Sequence, residues 1–348
     1  MQVIEHLVLC NKKFILLVFI LILISRSNAQ VYPDKSVHKI LKSGIGLIID
    51  QKYDEAKNLF DQLDRTRKDL PLGKIYIAAV SIAKSYDYEQ PFDDDLITRY
   101  LEGAKKISQR LIERDDKDIW NNYFFALTDG YIAYYDALRE NWLQAFSTGL
   151  SSVTAFENCL EIDKDFYEAM IAIGSYKFWK SKKIEFISWL PFIDDEKELG
   201  ISYLRNAVKY SGYNSHLAIH SLVWIYIEQN KFNEAIKVSE SALKDHPQSR
   251  IFKWGLARSL ESIDPEKAAR LYQEILNSYP RDLKTNKINE VTLKHIIAQQ
   301  LVKINKVDEA LRLCNEILSI KNYLDYESEK VNSRLERVKL LKQELLHK

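Results

Sequence analysis

Apolar side chains recur along this chain at three- and four-residue steps, the period of one face of an α-helix. The stretch 323–347 shows the pattern in its simplest form. There Val331, Leu335, Val338, Leu341 and Leu345 make a single apolar stripe on a charged background, as expected of a helix docked by one face. Upstream, helical stretches come in pairs separated by short turns. In 214–247 the first helix carries Leu222 and Tyr226 and closes at Asn230. Phe232 sits in the turn, and the second helix carries Ala235 and Ala242 before Pro247. Proline removes a backbone donor and clashes with the preceding turn, so it ends the second helix and resets the chain.

The same pair returns. The next unit ends at Pro280, with Leu256, Ala257 and Leu260 in its first helix and Ala268 and Tyr272 in its second. Its inner turn, Ser262–Pro265, is one residue tighter. Asp264 reads as an N-cap, with proline at the first helical position. A third unit places Ala298 and Leu301 before Asn305, then Val307, Ala310 and Ile317. Near the N-terminus, Gly44, Tyr53, Ala56 and Phe60 repeat the spacing of Ala298, Val307, Ala310 and Cys314. Residues 72–114, 118–163 and 165–209 form three longer hairpins between these, the last with Gly174 and Gly200 at close-approach positions. Small side chains where helices cross let their backbones approach, while tyrosine and phenylalanine fill the flanks. The prediction is all-α: a solenoid of six or seven helical hairpins closed by a C-terminal capping helix.

The unit Asn214–Pro247 resembles the tetratricopeptide repeat, a 34-residue helix–turn–helix hairpin. The segment Gly174-Ser-Tyr176-Lys-Phe178-Trp179, Ser188-Trp189-Leu190-Pro191-Phe192, Asp195, Gly200 and Leu204 is similar to uncharacterised exported bacterial tetratricopeptide proteins. It is more faintly similar to the eukaryotic tetratricopeptide-repeat domain 39 family, which includes mitochondrial outer-membrane inclusion-body proteins. The resemblance implies a solenoid working at an envelope or membrane surface, and it brings no active site. The domains expected are a signal peptide at 1–29, divergent hairpins at 30–210, regular repeats at 211–320 and a cap at 321–348.

Composition fits this picture. Only 10 Gly and 7 Pro occur in 348 residues, too few for the many tight turns of an all-β chain. Lys12 and Lys13 precede an apolar run from Phe14 to Ile24, and Ser27 and Ala29 stand before Gln30. That is the pattern of a cleaved export signal, and the run is short for a span of about 20 residues. The chain has 50 basic and 49 acidic side chains. The segment before Gln30 takes three basic and one acidic residue with it, so the remainder carries a formal charge of −1. A nucleic-acid binder would show a basic excess or stripe. Cys159 and Cys314 fall at buried helix positions and read as small core residues.

Chemistry-bearing clusters are sparse. His216 and His220 stand four apart on one helix, a spacing that can place two imidazoles on one metal, but no third ligand is suggested. Asp93-Asp94-Asp95 reads as a solvated helix start. Trp120, Tyr123, Phe124, Phe125, Tyr131, Tyr134 and Tyr135 crowd one helix and are expected to be mostly core. No catalytic, cofactor or metal residue is nominated, and the chain is not expected to be an enzyme.

The expected partner is another protein or peptide. In the repeat class resembled here the inner helices line a groove. The register points His220, Trp224, Ile227 and Glu228 into it, then Trp254, Arg258 and Glu261, then His295, Gln299 and Lys303. A second candidate contact is the loop 184–193, with Phe186, Trp189, Leu190 and Phe192 between a basic and an acidic flank. That loop either plugs the edge of the solenoid or touches a partner or a bilayer interface, where tryptophan and flanking lysine are favoured. The function expected is a protein-binding scaffold in the bacterial envelope. Its runners-up are a membrane-associated assembly or lipid-handling factor and an enzyme without a recognisable motif.

Overall fold

A computed structural model describes residues 30–183, 195–280 and 287–347. The segment 1–29, expected to be a signal peptide, and the candidate contact loop with Phe186, Trp189, Leu190 and Phe192 lie outside the described residues. Among those residues the chain forms fifteen helices and no strand.

The helices pair in order. The first two hairpins are α1 (Lys35–Ile49) with α2 (Tyr53–Thr66), and α3 (Leu72–Asp87) with α4 (Asp94–Arg114). The third and fourth are α5 (Ile119–Leu138) with α6 (Trp142–Ile162), and α7 (Tyr167–Lys183) with α8 (Lys197–Tyr210). The last three are α9 (Ser215–Glu228) with α10 (Phe232–Asp245), α11 (Arg250–Leu260) with α12 (Pro265–Ser278), and α13 (Lys287–Lys303) with α14 (Val307–Ser319). The cap α15 (Asp325–Leu346) follows. Each helix packs on the next in sequence, and α3 on α5, α7 on α9 and α9 on α11 touch as inner neighbours. This is an all-α helical solenoid.

Local sequence accounts for the ends of these helices. Asp34, Asp93, Asp118 and Asp264 act as N-caps, their carboxylates accepting backbone N–H bonds from the first turn, as the sequence predicts for Asp264. For α8 the N-cap is Glu196, which makes no capping bond, and Asp195 instead accepts from the Lys197 amide at 3.0 Å. Five inner turns close through a residue of positive φ: Gln51, Glu89, Glu140, Asn230 and Asn305. The hairpin α11–α12 dispenses with it, because Ile263 and Asp264 both donate to the Leu260 carbonyl.

The crossings are built from small residues. Ala56, Ala235, Ala268 and Ala310 on the second helices are fully buried, as is Ala298 on a first helix. Gly174 and Gly200 face each other where α7 crosses α8. A methyl group on Gly174 would lie 2.7 Å from the Gly200 carbonyl oxygen, and one on Gly200 would lie 2.5 Å from that of Gly174. The pair is therefore reciprocal, and neither position admits alanine without moving a backbone. In the cap, Val331, Val338 and Leu345 are buried and Leu335 and Leu341 pack against the core. Cys159 and Cys314 are buried free thiols.

The stack also curves until its ends meet, a feature the repeat spacing does not reveal. The inner turns of the first two hairpins dock on the connections between the last three. Asp87 is the hub. Its carboxylate pairs with the Arg250 guanidinium and accepts from Tyr53 Oη at 3.0 Å and Tyr279 Oη at 3.3 Å. Its carbonyl accepts from Asn289 Nδ2 at 2.8 Å. Arg250 lies 4.5 Å from the centre of the Tyr279 ring, and its amide donates to Gln51 Oε1 at 3.1 Å. His246 meets Asp50 at 2.9 Å.

A second clasp lies inside. The buried Glu168 carboxylate accepts from the Tyr213 amide at 2.7 Å, Asn214 Nδ2 at 2.9 Å and Tyr123 Oη at 3.3 Å. Asn214 Nδ2 also reaches Tyr76 Oη. Burial raises the Glu168 carboxyl above the usual carboxylate range, and these donors oppose the rise. Helices α3, α5 and α7 thus converge on the Asn214 side chain in the α8–α9 connection. The segment before α1 joins them, with the Tyr32 ring edge-on to Trp120 at 5.4 Å and its amide donating to Tyr213 Oη.

Breaking the outer clasp should be costly. Removing one partner of a buried ion pair leaves an uncompensated charge, which costs about 3–5 kcal/mol. Arg250→Met should lower urea stability by roughly that amount, and Asp87→Asn in the same chain should restore part of it. Equal stability of the single variant and the wild type would show that Arg250 is not holding the ends together.

Candidate functional site

The residues nominated from register lie on α9, α11 and α13, and half of them are exposed. His220, Glu228, Arg258, Gln299 and Lys303 are exposed, while Trp224, Ile227, Trp254 and Glu261 are half-buried. Position follows the turns: Trp224 and Gln299 each stand six residues before the positive-φ asparagine that ends their helix, Asn230 or Asn305.

The polar groups are organised in pairs. Arg258 bonds Glu261 at 2.6 Å, and Glu261 also accepts from Tyr272 Oη at 2.7 Å. Lys303 on the next inner helix donates to the Glu261 carbonyl at 2.9 Å and to Gln300 Oε1 at 2.8 Å. The structure thus brings Arg258, Glu261 and Lys303 together across two units. At the other end Glu228 pairs with Lys182 at 3.4 Å, and the His220 ring sits edge-on to Trp224 at 6.1 Å. Trp254 turns inward, edge-on to Tyr272 at 5.1 Å, and so serves packing more than the wall.

His295 does not belong to the groove. It is 2% exposed. It shares its register position with His220, but α15 packs on α13 and places Arg334 and Arg337 near its ring. Register within the repeat could not show this, because the cap takes the place that another unit would fill. Burial first, then those two arginines, hold the His295 pKa down to about 4.

His216 and His220 are likewise held low by burial, to about 3 and about 4. His220 keeps access to solvent while protein surrounds it on most sides, the condition of a side chain on a concave wall. Both imidazoles are neutral at physiological pH. Among the described residues no group of three or more His, Cys, Asp or Glu is placed to hold a metal ion.

Exposed aromatic rings also occur on the inner helices before the regular units. Tyr134 on α5 and Trp179 on α7 precede Trp224 at equal 45-residue intervals. Tyr134 also stands six residues before a positive-φ turn residue, Glu140. Both rings are exposed, at 47% and 37%. The equal interval was legible in the chain, but the long hairpins hid it from a 34-residue frame. Of the other aromatics on α5, Tyr123, Phe124 and Tyr135 are buried and Trp120, Phe125 and Tyr131 are half-buried, so most of the helix is core, as expected.

Residues 253–282 match the model of the tetratricopeptide repeat. The chain carries a tetratricopeptide repeat. That match falls on the α11–α12 hairpin, whose architecture the neighbouring tetratricopeptide-like hairpins share. No curated protein matches the chain. Among solved structures it is similar to the human IFIT1 dimer with PPP-AAAA, at 10% identity and a TM-score of 0.41, covering 84% of this chain and 64% of that one. It is also similar to the P58(IPK) TPR domain, at 13% identity and a TM-score of 0.26, covering 88% and 98%. The chain therefore spans less than two thirds of the IFIT1 structure.

A buried histidine of depressed pKa binds fewer protons folded than unfolded. Its contribution is complete above an unfolded pKa of about 6.5 and is lost as pH falls from there toward the folded value. His295→Met removes this titration and also a buried ring nitrogen, Nδ1, that has no partner. The wild type should lose thermal stability between about pH 6.5 and 4 more steeply than the variant, by on the order of 2–3 kcal/mol. Parallel curves of Tm against pH would contradict this assignment.

Proposed function

We propose that this protein is a non-catalytic scaffold that holds another protein or peptide along the inner wall of its solenoid, in a bacterial envelope compartment. The observation that carries the reading is the wall itself. On three successive inner helices the residues that tetratricopeptide geometry turns inward, Trp224, Arg258 and Gln299 among them, keep access to solvent while the alanines of the crossings are buried. A surface mixing indole, neutral imidazole and both charges suits a peptide better than a polyanion. The envelope setting rests on the apolar run Phe14–Ile24 followed by Ser27 and Ala29, and the bacterial setting on the likeness of the segment 174–204 to exported bacterial repeat proteins.

A second reading is favoured by one observation on α6. From Asn141 to Phe156 there is no charged residue, and Trp142, Leu143 and Phe146 are strongly exposed on the first turns of the helix. An uncharged apolar face of this kind can lie in a bilayer interface, which would make the protein a membrane-associated envelope factor. Flotation with liposomes separates the two readings, because a scaffold without lipid contact stays at the bottom of the gradient.

The groove reading is tested by affinity purification from the native host with wild type and a Trp224→Ala, Arg258→Ala double variant. Arg258 is exposed and its bond to Glu261 is a surface pair worth little stability, so circular dichroism of the variant should be unchanged. Recovery of the main partner should fall about tenfold or more, the size expected for losing one aromatic and one arginine anchor. Undiminished recovery would remove the groove as the binding surface.

A further inference from the structure

One flank of the cap gathers cations that outnumber the carboxylates around them. Along α15 the buried stripe is Val331, Val338 and Leu345. Successive residues turn by about 100°, so Leu335 and Lys339 stand on one side of that stripe, where they line a cavity with Ile317 and Ile320. Lys330, Arg334 and Arg337 stand on the other side. Lys330 reaches Glu89 in the α3–α4 turn at 2.7 Å. Arg334 and Arg337 lie near the His295 ring on α13, the inner helix on which the cap packs. The three cations therefore sit where the cap, the last inner helix and the second hairpin come together.

Two groups at this junction lack a partner. Arg334 is half-buried, and among the described residues the carboxylate that acts on it is Glu89, already held by Lys330. Burial, then the Arg337 charge, hold the Arg334 guanidinium below its usual range. Arg337 donates one N–H to the Ser333 carbonyl at 3.4 Å, which leaves its charge unmatched. His295 is 2% exposed, and its Nδ1 has no hydrogen-bond partner. The other acids of α15 close by are engaged: Glu327 accepts from the Leu324 amide and faces Lys287, and Glu336 pairs with Lys339. A buried polar atom without a partner and a half-buried cation without a counter-ion both cost free energy. An anion from outside satisfies the two together.

Charge and shape narrow the anion. Lys330, Arg334 and Arg337 against Glu89 leave two positive charges unbalanced. His295 is neutral and offers one N–H. A phosphate group carries about −1.5 to −2 at pH 7 and accepts through three oxygens, whereas a carboxylate brings half that charge and two oxygens in one plane. The geometry points to a binding site for a phosphate group, gripped by the Arg334 and Arg337 guanidinium groups and His295 Nδ1, with Lys330 holding Glu89 aside. The planar fork of arginine matches phosphate oxygens two at a time. His295 Nδ1 is closed to solvent, so the two long arginine side chains turn aside to admit the anion and then close on it. A bound phosphate also removes the repulsion between Arg334 and Arg337, and so steadies the cap where it docks. The site lies apart from the inner-wall residues and does not rest on the scaffold reading.

The test is calorimetric titration of the full protein in about 0.15 M NaCl, with inorganic phosphate, sulfate, glycerol 3-phosphate and succinate as probes. Phosphate should bind saturably, with a Kd between about 10 μM and 1 mM for a ligand this small. Sulfate should compete with it. Succinate, a dianion without a tetrahedral group, should bind at least about tenfold more weakly. Arg334→Met and Arg337→Met should each weaken phosphate about tenfold or more, the loss of one charge-assisted contact. Lys339→Met, on the opposite flank, should leave it unchanged. Lys330→Met releases Glu89 to Arg334 and should weaken binding, and adding Glu89→Gln should recover it. Removing a half-buried cation that lacks a counter-ion spares the fold, which circular dichroism checks. Phosphate should raise the Tm of the wild type above its value in NaCl of equal ionic strength, and should not move that of Arg334→Met. Glycerol 3-phosphate binding as tightly assigns the site to the phosphate head of a larger molecule, and its exclusion assigns it to free phosphate. No saturation up to about 10 mM phosphate, unchanged affinity in both arginine variants, or succinate as tight as phosphate overturns the inference.

Discussion

Close approach of helices at small residues is the constraint on which the remaining architecture depends. A hairpin whose helices stood further apart would leave its apolar stripe partly open, and the next hairpin could not nest against it. At Gly174 and Gly200 the approach is so tight that each glycine faces the other's carbonyl. At Ala56, Ala235, Ala268 and Ala310 a single methyl fills the crossing. Because interiors pack near crystal density, a change of even one methylene there is felt along the stack. Each hairpin is held mainly by its neighbours, as in other linear arrays.

Nearest-neighbour packing does not explain the curvature. The contacts among Asp87, Arg250, Tyr53, Tyr279 and Asn289 join residues of the first two hairpins to the last two. They are polar and buried, and they are specific where apolar packing is tolerant. Buried ion pairs contribute modestly to stability, because desolvation offsets their attraction. Here the pair fixes which parts of the stack meet. Glu168 has the corresponding role inside, with donors from Tyr213, Asn214 and Tyr123 offsetting the penalty of burying a carboxyl group. The ends of an otherwise one-dimensional array are thereby made interdependent.

The wall left by this closure is chemically quiet. Its imidazoles are kept neutral by the protein around them, Arg258 and Lys182 pair with Glu261 and Glu228, and Lys303 is bonded to the Glu261 carbonyl and to Gln300. Specificity on such a surface comes from shape and from unsatisfied acceptors, with long-range steering playing little part.

Local rules made the helices and their pairing legible in the chain. Apolar steps of three and four mark the buried faces, Asp264-Pro265 marks a helix start, and alanine at fixed intervals marks the crossings. These are effects of neighbouring residues on one another, and they operate in any array of this kind. The exposure of His220, Gln299 and Lys303 likewise accords with their register within a hairpin. Two features belonged to the tertiary structure alone. His295 shares its register with His220 and is nevertheless sealed by α15, since a cap covers what a further repeat would have lined. Asp87 looks like an ordinary helix end until Arg250 arrives from the far side of the stack. Sequence periodicity carries local geometry; burial by a distant part of the chain depends on the summed rotation from unit to unit, which no single interval encodes.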